Sequence, residues 1–172
     1  MTLDSLPRTW LAAAVLGLAV LGAARADSGR QMPADMPPAY VAECASCHTA
    51  YPPGMLPAKS WQRIMGGLDK HYGTDASLDP ATVQQLATWL QANAGRYKRV
   101  SATPPPEDRI TRSAWFERKH DEIALAVWKL PSVQSAANCA ACHIGADKGQ
   151  FDDDRLKLPA GLDARQRRAW ND

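Results

Sequence analysis

The chain of 172 residues contains four cysteines and four histidines, and their spacing is its clearest chemical signal. Cys44-Ala45-Ser46-Cys47-His48 and Cys139-Ala140-Ala141-Cys142-His143 both spell C-x-x-C-H, and together they use every cysteine. That pattern is the attachment signature of a c-type haem. Two thiols three residues apart lie on one side of a helical turn and reach the two vinyl groups of one porphyrin. The histidine that follows swings beneath the ring to bind iron. Other uses of the thiols fit less well. A four-thiolate zinc site favours ~15–20 residues between its pairs, and a redox C-x-x-C wants a βαβ context. Here the pairs lie far apart across a proline-rich stretch, with no βαβ pattern. Two structural disulfides would leave both trailing histidines as coincidence.

With His48 and His143 assigned as proximal ligands, His71 and His120 remain. His71 follows His48 by 23 residues, and His120 precedes His143 by 23 residues. His71 shares an apolar helical face with Trp61, Ile64 and Leu68, and His120 lies between Phe116 and Ile123 on another. A lone histidine on an apolar face is more often a core residue than a ligand. Two haems each lacking a sixth ligand, with two inward histidines available, predict bis-histidine iron at both sites. Ligation is expected to be local, His48 with His71 and His143 with His120. The rival donor is methionine, with Met55 and Met65 as candidates; Met32 and Met36 sit in the leader. Loop packing and helix core are the expected roles of Met55 and Met65. An iron with two strong protein ligands has no open site for oxygen or peroxide, and it lacks the methionine that raises potential. Electron transfer without bond chemistry follows.

The N-terminus points to export. A weakly positive start with Arg8 precedes the apolar run Trp10–Gly22 and then Ala24-Arg25-Ala26, a small-x-small cleavage pattern. The run is short of the ~20 apolar residues of a membrane span. The expected division is a signal peptide over 1–26, an N-terminal haem lobe over 27–103 and a C-terminal haem lobe with tail over 104–172. Removing 1–26 takes Arg8, Arg25 and Asp4 from 20 basic and 18 acidic residues, leaving a net charge of about +1. That balance offers neither a nucleic-acid-binding surface nor a polybasic membrane patch. The periplasm is the expected compartment.

The positioning elements read as helices. One runs from Pro38 towards Cys44, and Tyr51–Pro57 is an ordered proline loop. A second helix is expected from the N-cap Ser60 to Gly73, and a third from Asp79 and Pro80 to Gly95. Ser101–Asp108 reads as a stiff linker. A fourth helix is expected from Thr111 through Val127, and a fifth from Pro131 or Ser132 towards Cys139. No sustained strand-like alternation occurs, so the fold class is mostly α in two small haem-binding lobes. Each lobe of about seventy residues is too small to build a sufficient apolar core alone. A large flat cofactor in each would supply the missing apolar surface.

Beyond the two motifs, the segments Tyr51–Trp61 and Gly67–Gly73 resemble the bacterial dihaem cytochrome c family. So do Arg109-Ile110-Thr111, Trp115-Phe116, Lys119–Ile123, Asn138–His143 and Gly149–Asp152. The resemblance covers roughly Pro37 to Pro159. It implies a class I cytochrome c-like N-terminal lobe, a distinct C-terminal haem lobe and bis-histidine iron in both. It also implies redox partners, a membrane b-type cytochrome and in some members a small monohaem oxygen-binding cytochrome. Two other functions stand beside the carrier. A peroxidase-like dihaem enzyme needs a displaceable ligand and is usually a longer chain. A dihaem subunit of a periplasmic reductase is also bis-histidine, and the Tyr-Pro-Pro loop and the C-terminal motifs argue against it.

Overall fold

A computed structural model of the chain describes residues 32–97, 99–168 and 170. The expected signal peptide lies outside them. Among the described residues, five α-helices are joined by connections that hold between one and four 3-10 turns, and pairing of β type is confined to isolated bridges, His71 with Thr74 and His143 with Leu156. No described helix is long and apolar enough to cross a membrane.

Helix α1, Pro38–Cys44, opens on proline and ends at the first attachment cysteine. Helix α2, Ala58–Met65, differs from expectation at both ends. Pro57 is its N-cap, and Ser60 is fully buried inside the helix. It stops at Gly66, because a second glycine follows and each costs ~1 kcal/mol in a helix interior. The chain continues as a 3-10 turn, Leu68–Lys70, so His71 projects from an irregular segment rather than from a helix.

Helix α3, Pro80–Asn93, matches its sequence signals. The Asp79 carboxylate accepts from the backbone N–H groups of Ala81 and Thr82, both at 3.0 Å. Gly95 takes a positive φ of 65° and donates its N–H to the Leu56 carbonyl. Helices α2 and α3 pack together, burying Trp61, Met65, Leu86, Trp89 and Leu90. The Trp61 indole N–H donates to the Pro53 carbonyl at 2.7 Å, tying the proline loop to α2.

Helix α4, Ala114–Lys119, is capped by Ser113 and is much shorter than the expected Thr111–Val127. His120 ends it: the Nδ1 of its ring meets the Phe116 carbonyl at 2.9 Å and satisfies one of the last carbonyls of the helix. Asp121 and Glu122 follow, and acidic groups are disfavoured at a helix C-terminus. The expected fifth helix is replaced by turns ending in the 3-10 turn Cys139–Ala141. Helix α5, Ala164–Arg168, lies in the tail.

The main apolar cluster joins residues from both sides of the proline linker. Tyr40, Met55, Leu56, Trp61, Leu86 and Leu90 pack in one cluster with Ile110, Trp115 and Phe116. Tyr97 meets Trp115 with ring centroids 5.1 Å apart. Met32 is buried too, and a Cβ added at Gly149 would lie 3.0 Å from its backbone nitrogen and side chain. A smaller cluster gathers Val127, Val133, Ala141 and Leu162.

Candidate functional site: two histidine pairs

The structure brings the four histidines together in two pairs. His48 and His71 have ring centroids 6.1 Å apart and planes 23° from parallel. His120 and His143 have centroids 6.2 Å apart and planes at 72°. Two imidazoles bound trans to one metal, with bonds of about 2 Å and about 1.1 Å more from nitrogen to ring centre, place their centroids about 6 Å apart. Both pairs are spaced as two histidines holding one metal would be.

Around the first pair lies a cavity of about 520 Å³, within the usual size range of a cofactor site. Cys44, Cys47, His48 and His71 line it, and Trp61, Ile64, Met65, Leu68, Leu86 and Leu90 give it an apolar wall. Met65 thus faces the same cavity as His71, whereas Met55 is buried in the core without lining it. Around the second pair the walls are aromatic. Phe116 stacks on His120 at 4.0 Å, Trp128 lies 5.8 Å from the same ring, and Phe151 lies 5.7 Å from His143.

Second contacts orient the rings. A carbonyl only accepts, so the Nδ1 of His48 donates to the Thr49 carbonyl at 2.7 Å, and the Nδ1 of His120 donates to Phe116. In each ring the proton is thereby placed on Nδ1, and Nε2 is left as a lone pair for a metal. The Nδ1 of His143 is buried with no protein partner among the described residues. Burial, and then the neighbouring histidine His48 and the Arg109 cation, hold His71 below the ordinary imidazole range. His143 is lowered by burial and by His120, against the pull of Asp153 and Asp152. Burial also lowers His120, although its bond to the Phe116 carbonyl opposes this. In His71, His120 and His143 the shift favours the neutral ring, the form that ligates.

No disulfide joins the four cysteines, so every sulfur is available for attachment to a porphyrin vinyl group. Before attachment, burial pushes the Cys44 and Cys139 thiols up to about 11, which disfavours the thiolate a zinc site would need. Among the described residues no three His, Cys, Asp or Glu side chains converge as a metal cage. The donor set fits haem, which asks the protein for two axial ligands, better than it fits zinc.

Tyr51 ties the first site to the segment that leads into the second attachment motif. Its ring stacks on His48 at 4.9 Å and 18°, and its hydroxyl donates to the Ala137 carbonyl at 2.7 Å. Ala137 lies two residues before Cys139, and both line the first cavity. The Tyr40 hydroxyl in turn donates to the Tyr51 carbonyl. This bridge spans 86 residues of sequence, so periodicity could not reveal it.

A sequence profile of the dihaem cytochrome c family matches residues 40–151. Solved structures agree. A dihaem cytochrome c from Rhodobacter sphaeroides is 40% identical, covering 68% of this chain and 98% of its own, with a TM-score of 0.60. A DHC crystal structure from the same organism is 44% identical over 67% of this chain and 97% of its own, with a TM-score of 0.58. A dihaem cytochrome c from Shewanella baltica is 38% identical, covering 73% of this chain and 96% of its own, with a TM-score of 0.63. A search of curated proteins finds no match. The chain belongs to the dihaem cytochrome c family and carries two covalently attached haems c.

Proposed function

We propose that this protein is an exported electron carrier whose two haems are both bis-histidine and low-spin. Cys44 and Cys47 would attach the first haem, with His48 and His71 as its axial ligands. Cys139 and Cys142 would attach the second, with His143 and His120. The observation that carries this reading is the pair of 6.1 Å and 6.2 Å imidazole separations. Each haem supplies a one-electron ferric–ferrous couple when bound. The residues of the chain do the rest: thiols hold the ring, paired histidines close both iron faces to external ligands, and apolar walls exclude water. Closed iron favours a carrier over a peroxidase-like enzyme. Tyr51 joins the two sites, which suits electron exchange within one molecule.

The periplasm is the proposed location, supported by the Trp10–Gly22 run and the Ala24-Arg25-Ala26 pattern. The proposed partners are other redox proteins, a membrane b-type cytochrome and a small monohaem cytochrome. Division into an N-terminal and a C-terminal haem lobe is retained as the assignment of one haem to each C-x-x-C-H motif.

Electron paramagnetic resonance of the oxidised protein at low temperature tests the ligation. Two low-spin ferric signals are expected, and they differ. The near-parallel rings of His48 and His71 lift the degeneracy of the iron orbitals and give a rhombic signal. The near-perpendicular rings of His120 and His143 leave it almost intact and give a strongly anisotropic one. A stoichiometric high-spin signal would reopen the enzyme reading.

A further inference from the structure

Three of the four described non-glycine residues with positive φ sit in one place beside the first histidine pair. Tyr72 has φ 50°, Glu107 φ 56° and Asp108 φ 55°. Such conformations cost of order 1–3 kcal/mol each and persist only where surrounding contacts impose them. The contacts here are specific. The Tyr72 hydroxyl lies 3.1 Å and 3.2 Å from the carbonyls of Glu107 and Asp108. Arg63 of α2 forms a two-pronged ion pair with Asp108. The end of the proline linker is thus a strap drawn onto α2 and the segment after His71.

The strap presents Arg109. Its guanidinium lies over the Tyr72 ring, 4.2 Å from the centroid, and its Nε donates to Glu107 at 3.0 Å. Its terminal nitrogens have no protein acceptor among the described residues. Among the described residues, Arg109 is also the one Lys or Arg side chain lining the 520 Å³ cavity. The other charged groups there, besides the histidines, are Glu43, Asp75 and Asp108. Asp108 is matched by Arg63, and the Asp75 carboxylate accepts from the Ser77 N–H. With a side chain 40% exposed, Arg109 stands at the rim of the cavity.

We propose that Arg109 is the anchor for a propionate carboxylate of the first haem, aimed at it by the strained strap Glu107–Asp108 and the Tyr72 ring. The inference rests on the assignment of His48 and His71 to one haem. Arginine suits the task because its planar fork matches a carboxylate bidentately. Its positive charge beside the ring favours the reduced iron, whose net charge is lower.

The test is a redox titration of holoprotein carrying Arg109→Gln or Arg109→Lys, with electron paramagnetic resonance on the same samples. Arg109→Gln should lower one midpoint potential and leave the other in place, and the signal that changes should be the rhombic one. Arg109→Lys should restore part of the shift. Unchanged potentials, equal shifts in both haems, or no recovery with lysine overturn the anchor. Because these variants keep both low-spin signals if the histidine pairs are right, loss of low-spin character in the unaltered protein would instead overturn the ligation. A crystal structure of the unaltered holoprotein decides the matter independently of any variant. A terminal nitrogen of Arg109 within about 2.7–3.2 Å of a propionate oxygen supports the anchor. A propionate out of reach overturns it.

Discussion

Removing single hydroxyl groups offers a graded test of the bridge between the two haem sites. Tyr40, Tyr51 and Tyr72 each hydrogen-bond backbone carbonyls, and Tyr→Phe removes only the hydroxyl. Tyr40 is buried and its hydroxyl holds the carbonyl of Tyr51. Tyr51 is partly buried and its bond at 2.7 Å crosses to Ala137. Tyr72 is exposed, and its two contacts are longer, at 3.1 Å and 3.2 Å. Leaving a buried acceptor unpaired costs about 1–3 kcal/mol, whereas water replaces an exposed partner at little cost. The expected order of destabilisation is Tyr40→Phe, then Tyr51→Phe at about 1–2 kcal/mol, then Tyr72→Phe below about 0.5 kcal/mol. In a protein of this size ~1 kcal/mol lowers Tm by ~2–4 °C, so Tyr51→Phe should fall by roughly 2–8 °C. Circular dichroism of the oxidised holoproteins, matched in haem content, reads the shifts. The ring remains in Tyr51→Phe and keeps its stack on His48, so the haem absorption spectrum should not change. A Tyr72→Phe variant as destabilised as Tyr51→Phe would refute burial as the deciding quantity. An unchanged Tm in Tyr51→Phe would refute the bridge to Ala137.

The remaining expectations concern the iron and the leader. His71→Met should leave both haems attached and raise one of two midpoint potentials, because methionine favours ferrous iron more than imidazole does. Two unchanged steps would make His71 a core residue. Intact-mass spectrometry of periplasmic extract should give a polypeptide beginning at Asp27 plus two haems. A mass with one haem, or with residues 1–26 retained, would contradict the attachment or the export reading respectively.

How much was legible beforehand depended on the range of the interaction. Attachment is a local matter: two thiols and a histidine within five residues carry their geometry with them, so both C-x-x-C-H motifs could be read from sequence alone. Helix α3 was equally legible, since the Asp79 cap, Pro80 and Gly95 act within a turn of where they stand. The mostly helical class followed from the same short-range periodicity. Helices α2 and α4 were expected to run too far, because apolar spacing continues past Gly66 and His120 while the backbone does not. There, two glycines and a side-chain bond to a carbonyl outweigh the pattern.

What only the tertiary structure decided is which distant groups meet. Equal spacings of 23 residues suggested the pairing of His48 with His71 and of His120 with His143, but spacing sets no ring-to-ring distance or plane angle. Those arise from α2 and α3 packing beneath one cavity and from Phe116, Trp128 and Phe151 around the other pair. The Tyr51–Ala137 bridge and the strap carrying Arg109 were likewise invisible. Hydrogen bonds and cation–aromatic contacts across 35 to 86 residues leave no periodic trace in a sequence, because the chain between them is free to vary so long as its ends are brought together.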